Sequence, residues 1–186
     1  GTTFRAAVDG MSRTSNGHAE SHPHYAFMYG TLKSNEPNHK QLYSRGPGGA
    51  KFCGRAKTLA KFPLLVTTPF NIPFLLHKEG IGHRIEGELY KLDEETLKHV
   101  DDFEGHPHWY VRQTVQVEVL TDSQSNKIEP YIVDTWMYGL KRFKPSLLEL
   151  PLVEVYHDSH YDISRRYRPY DVVRDGPLQS YLFDDE

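Results

Sequence analysis

The chain has 186 residues, 38% hydrophobic and 25% charged, with a formal net charge of −3. That length and balance fit one folded domain with its own core. The weakly acidic balance lacks the basic footprint of a nucleic-acid or anionic-membrane binder, so neither is expected as a partner. No apolar run is long enough to span a bilayer, and the N-terminus lacks the apolar stretch of a secretory signal. A cytoplasmic location is the expectation. Cys53 is the single cysteine, so no internal disulfide forms, which suits a reducing compartment. Nothing in Lys51-Phe52-Cys53-Gly54-Arg55 supplies a base or an activating environment, and Cys53 reads as a packed strand residue.

Residues 1–24 read as a flexible tail, since Ser12, Ser15, Asn16 and Gly17 build no core. Met11 looks like the native start, with residues 1–10 as a leader. His22 and His24 flank Pro23, but a tail offers no scaffold that would fix a metal. The domain proper is expected over 25–170, followed by a C-terminal tail over 171–186. Tyr25–Tyr29 has high β-propensity and runs straight into Gly30-Thr31-Leu32-Lys33. A strand ending on glycine and a small hydroxyl residue allows close backbone approach to a ligand, with free N–H groups at the strand end. An ordinary strand-to-loop turn has the same look. Asn38 is placed to cap a short helix through Tyr43, and Gly46-Pro47-Gly48-Gly49 breaks the chain.

Ala50–Leu59 reads as a strand broken near Gly54, and Leu64–Val66 as a short apolar run. Gly80-Ile81-Gly82 reads as a turn joining Phe74–His77 to Arg84–Lys91 in a hairpin. In the second of these, Gly87 permits a bulge or a tight barrel bend. Asp93–Gly105 reads as one helix, N-capped by Asp93 and stopped by Gly105. Leu97, Val100 and Glu104 fall at i, i+3 and i+7, with Phe103 beside them on the same stripe. A carboxylate at Glu104 breaks that apolar pattern. The C-terminal end of the helix dipole, nearby Asp101 and Asp102, and burial would each push its pKa upward. A side chain swung out to solvent at a frayed helix end is the alternative. Strands follow over Tyr110–Leu120 and Tyr131–Tyr138, and residues 140–156 read as a loop or short helix. Beyond them, Arg165, Arg166 and Arg168 interleave with Tyr167 and Tyr170. Such a pattern binds single-stranded nucleic acid in some proteins, but an acidic chain favours a tail laid over the domain. Many short strands with brief helices indicate an α+β fold, a small mixed β-barrel with flanking short helices.

His106 with His108, and His157 with His160, give no strong metal-ligand spacing, and no phosphate-loop, dinucleotide or nucleophile-elbow motif is present. What remains is the glycine-ended strand at Tyr29–Leu32 and the inward carboxylate of Glu104. A carboxylate plus a nest of N–H groups suffices for proton transfer on a substrate that carries its own nucleophile.

Tyr29-Gly30-Thr31-Leu32-Lys33 with Pro37-Asn38-His39, then Asn71–His77, Glu86-Gly87-Glu88-Leu89-Tyr90 and Asp101-Asp102-Phe103-Glu104, form an ordered set. Over about Tyr25–Tyr138 that set resembles the γ-glutamylcyclotransferase-like superfamily, and within it the γ-glutamylamine cyclotransferase, or AIG2-like, branch. The resemblance implies a lyase that turns a γ-glutamyl amine, for example γ-glutamyl-ε-lysine, into 5-oxoproline and a free amine. It implies Glu104 as general acid/base and Tyr29, Gly30, Thr31, Leu32 and Tyr110 around a small γ-glutamyl substrate, with no metal or organic cofactor. A catalytically silent homologue that binds a small ligand in the same pocket is the alternative. The C-terminal stretch beyond Tyr138 matches the family less securely.

Overall fold

The runs rich in Val, Ile, Tyr, Phe and Thr form strands, and five of them close into a barrel. The computed structural model describes residues 20–184; the expected leader ahead of Met11 lies outside them. Strands β1 (His24–Met28), β2 (Ala50–Phe62), β5 (His83–Leu92), β6 (Tyr110–Thr121) and β7 (Lys127–Leu140) follow the order β1-β5-β2-β6-β7 around the barrel. Neighbours pair antiparallel except at the seam, where β1 meets β7 in parallel through Ala26 and Trp136. Outside the barrel, β3 (Leu64–Thr67) and β4 (Ile72–Leu75) pair with each other.

This pairing overturns the expected hairpin between Phe74–His77 and Arg84–Lys91. β5 lies between β1 and β2, so both its edges are taken. Gly82, at φ 90°, serves a different purpose from a hairpin turn. A Cβ there would sit 2.3 Å from the Phe62 carbonyl, so glycine lets the loop pass against the end of β2. The expected break in β2 is also absent. The strand continues through a bulge between Phe52 and Gly54, leaving Cys53 as the extra residue. Gly54 lies at φ 148°, and a Cβ would fall 2.0 Å from the Thr121 carbonyl. Burial raises the pKa of the Cys53 thiol, which suits a packed strand residue.

Three apolar clusters hold the molecule. Phe27, Ile85, Leu89, Val117, Val119 and Met137 fill the barrel. Met28, Tyr90, Leu92 and Tyr138, on the barrel's outer face, pack against Leu97 and Val100 of helix α1 (Glu94–Glu104). Leu65, Phe74, Leu76 and Leu140 form the third, joined by Leu147, Leu178 and Leu182. The last two come from the expected C-terminal tail. They bring two single-turn helices, α2 (Val172–Asp175) and α3 (Gln179–Leu182), onto the domain. A fully buried leucine contributes about 1.5–3 kcal/mol, enough to dock a short segment. At the other end, contacts to the domain are already made ahead of Tyr25. His24 opens β1, His22 is buried against the Gly48 carbonyl, and Glu20 pairs with Lys91 at 2.8 Å.

Helix α1 has the limits its capping residues dictate. Asp93 Oδ1 accepts the Thr96 N–H at 2.8 Å, and Gly105 adopts the left-handed conformation at φ 67°. Phe103 departs from expectation. It is 37% exposed and lies off the Leu97–Val100 core stripe.

Candidate active site

A cavity of about 530 Å³ opens where the three clusters meet. The loop after β1 lines it with Tyr29, Gly30, Thr31 and Leu32. The end of α1 adds Phe103 and Glu104, the start of β6 adds Tyr110, and β7 adds Tyr138. A cavity of this size, apolar with a few convergent polar groups, has the character of a small-molecule site.

The Gly30–Leu32 loop is fixed through its carbonyls. Gly30 O accepts the Lys33 N–H at 3.2 Å, Thr31 O the Asn38 N–H at 2.9 Å, and Leu32 O the His39 imidazole at 2.8 Å. Among the described residues, the N–H groups of Gly30, Thr31 and Leu32 find no protein acceptor. Three donors are thus held at the cavity wall with their bonds unmade, an arrangement suited to an anionic or developing-anionic oxygen. Asn38 takes part in a way the sequence reading missed. It makes no capping bond to the short 3-10 turn His39–Tyr43, and its amide donates to Thr31 Oγ1 at 3.0 Å. Gly30 has a steric reason: a Cβ would stand 3.1 Å from the Pro73 ring.

Glu104 sits where helix α1 stops, so its side chain projects past the core stripe into the cavity. Among the described residues no hydrogen bond or ion pair reaches its carboxylate. Burial alone pushes its pKa up to about 8. Neighbouring carboxylates were expected to contribute, and they do not. Asp101 is engaged, accepting from Arg112 Nε at 2.8 Å and from the Tyr138 hydroxyl at 2.6 Å, while Asp102 is exposed. These two bonds tie the last turn of α1 to β6 and β7, and so set where Glu104 points.

Phenols surround the carboxylate. Burial, reinforced by the charge of Glu104, holds the Tyr29 pKa well above its ordinary value. Tyr110 is raised in the same way, by burial first and then by Tyr29, Glu104 and Tyr167. Its hydroxyl donates to the Pro73 carbonyl at 2.9 Å and its ring stacks on Phe74 at 5.9 Å. All three phenols, Tyr138 included, therefore stay protonated over the working range of pH. The structure brings Glu104, Tyr29, Gly30, Thr31, Leu32 and Tyr110 to one cavity. Sequence reasoning missed Tyr138, whose β7 register was unreadable. It also missed Tyr167 and Tyr170, which the C-terminal stretch returns to the cavity wall. Their signal was the Arg/Tyr interleaving that read as a tail laid over the domain. Among the described residues no group of His, Cys, Asp or Glu is arranged to hold a metal.

The fold and site define a class: a small closed barrel whose cavity brings the Glu104 carboxylate together with loop N–H groups that have no acceptor among the described residues. Residues 26–158 match the family model described as gamma-glutamyl cyclotransferase, AIG2-like, and the chain belongs to that family. It is 40% identical to gamma-glutamylaminecyclotransferase of Rattus norvegicus over 145 residues, 78% of this chain and 96% of the rat protein. Against the Homo sapiens protein of the same name the identity is 39% over 146 residues, covering 77% of this chain and 95% of the human one. The crystal structure of an AIG2-like protein from Mus musculus superposes with a TM-score of 0.70 at 38% identity, covering 80% of this chain and 97% of the mouse chain.

Proposed function

We propose that the chain is a γ-glutamylamine cyclotransferase, with Glu104 as general acid/base and the Gly30–Leu32 loop as the γ-glutamyl cradle. The observation that carries this reading is the open cavity joining the unpaired Glu104 carboxylate to the unpaired loop N–H groups.

The substrate brings its own nucleophile. Its α-ammonium loses a proton to the Glu104 carboxylate, and the freed amine attacks the γ-carbonyl carbon. The new C–N bond closes a five-membered ring, and the old bond to the leaving amine breaks. Glu104 passes that proton to the leaving nitrogen, the ring nitrogen sheds its second proton by way of the same carboxylate, and the amine departs as an ammonium, so the carboxylate is regenerated and no water is consumed. Closing a ring within one bound molecule gains from intramolecularity, which removes the need for an enzyme nucleophile. A carboxylate of ordinary pKa is a poor base toward an ammonium; one at about 8 is far better matched. Loop N–H groups would take the substrate carboxylate or the oxyanion that develops on the γ-carbonyl.

A ligand-binding homologue without turnover fits less well. A binding site would gain most from a carboxylate ionised at neutral pH to pair with the ligand's α-ammonium, whereas burial holds Glu104 at about 8, which suits proton exchange with an amine. Incubation with γ-glutamyl-ε-lysine, read as 5-oxoproline by mass spectrometry, tests the reading. Wild type should form product, and Glu104→Gln should be slower by about 10²–10⁴-fold. Wild-type silence across a panel of γ-glutamyl amines would overturn the enzyme; equal rates in both proteins would overturn the role of Glu104.

A further inference from the structure

The segment from Tyr156 to Tyr170 is fastened at both ends. At the first end, buried Lys33 donates its ammonium to the Tyr156 carbonyl at 2.6 Å, and burial draws its pKa below the ordinary value. The Glu36 side chain, only 5% exposed, accepts the Asp158 N–H at 3.1 Å and pairs with His157 at 3.3 Å. Asp158 passes this fastening on, accepting the Tyr167 N–H at 2.6 Å and the Tyr156 hydroxyl at 3.2 Å. At the far end the segment is tied to the loop between β3 and β4. Arg168 gives its N–H to the Phe70 carbonyl at 2.9 Å and its guanidinium to the Pro69 carbonyl at 2.8 and 3.0 Å. Asn71 donates to the Arg166 carbonyl at 2.9 Å, and the Tyr170 ring meets Phe70 edge-on at 5.1 Å. Between these anchors, Tyr167 and Tyr170 line the cavity.

Lys33 and Glu36 follow directly on Gly30–Leu32. The loop that presents the N–H groups therefore also holds a second wall of the same cavity. The steps of the reaction ask nothing of Glu36, which does not line the cavity. Once the γ-glutamyl end is placed between the loop and Glu104, the amine faces the remaining lining. That lining is mostly aromatic and aliphatic, Ile72, Trp109 and Leu178 with the two tyrosines, and has Gln179 and Asp102 as polar members.

We infer that Glu36 is a positioning residue that sets Asp158–Tyr170 as the amine-side wall, and that Tyr167 and Tyr170 there select for an extended aliphatic amine. This rests on the cyclotransferase reading above. Each methylene buried against such a wall is worth about fourfold in kcat/KM, mostly through KM.

The test compares γ-glutamyl derivatives of methylamine, butylamine and hexylamine. Wild type should show kcat/KM rising with chain length. Glu36→Ala should flatten that rise by about tenfold or more at hexylamine, with methylamine nearly unchanged. Glu36→Gln keeps an oxygen for the Asp158 N–H and should restore the wild-type dependence. Hydrogen–deuterium exchange across 158–170 should quicken in Glu36→Ala and not in Glu36→Gln, a readout independent of turnover. Unchanged exchange in Glu36→Ala would overturn the positioning role, and an unchanged chain-length dependence would overturn the selectivity. If Glu36→Ala fails to fold, Tyr167→Ala carries the same chain-length test with the fastening left in place. No turnover of any amine by wild type would defeat the cyclotransferase reading, while the exchange comparison would still decide the placement of the wall.

Discussion

At the residue scale the proposed chemistry centres on Glu104, whose raised pKa makes two quantities depend on pH. The base form is the carboxylate, so kcat/KM should climb as pH rises through about 8, and a pH–rate profile checks this. Stability runs the opposite way. The folded pKa lies above the unfolded value, so the folded state holds the extra proton between the two. Stability is full below the unfolded value of about 4.5 and declines as pH rises through about 8. Glu104→Gln removes the titration. Its stability should match wild type near pH 4.5 and exceed it at pH 9 by on the order of a few kcal/mol, seen as a higher melting temperature at pH 9. Asp101 governs where that carboxylate points. Asp101→Ala strips a partner from both Arg112 and Tyr138 and should cost about 1–3 kcal/mol, with kcat falling more than KM rises. Glu104 was legible in the sequence because a carboxylate interrupts an apolar stripe. Asp101 was misread as a source of negative charge, because its partners stand 11 and 37 residues away and no local pattern announces them.

Legibility at the scale of elements followed locality. Helix α1 was readable at both ends, since its N-cap and its left-handed stop are set by Asp93 and Gly105 themselves. The β4–β5 hairpin was misread because Gly80 and Gly82 look like turn residues, whereas Gly82 answers to a backbone in β2. Gly87 shows the same non-local logic. No bulge or shift occurs there; it pairs with Ala56 in register. A Cβ at Gly87 would meet the Met28 carbonyl at 2.3 Å and the Phe27 ring at 2.7 Å, so β1 approaches β5 only over a bare backbone. Gly87→Ala should therefore destabilise by about 1–3 kcal/mol or more, seen as a lower urea midpoint at unchanged slope. The change lies at the strand that carries the Gly30–Leu32 loop, so KM should rise at denaturant concentrations where the fold is still intact.

For the whole molecule, the α+β barrel was legible as a class, but its closure was not. Strand propensity names strands without naming their neighbours, and the seam joins Ala26 to Trp136 across most of the domain. The cavity shares this character, drawing its walls from both ends of the described chain. That seam has a kinetic consequence. β6 and β7 are sequence neighbours joined by one long antiparallel ladder, whereas β1 must find β5 about sixty residues on and β7 about a hundred residues on. Long-range pairing closes late, because the loop entropy must be overcome before the contact forms. In a refolding experiment, pulse-labelled amides of β6 and β7 should gain protection before Phe27. Enzymatic activity should return with Phe27 rather than with the bulk of the sheet. The Gly30–Leu32 loop, the proposed γ-glutamyl cradle, is then the last part of the barrel to take shape, and no partly folded form of the chain is a partly active one.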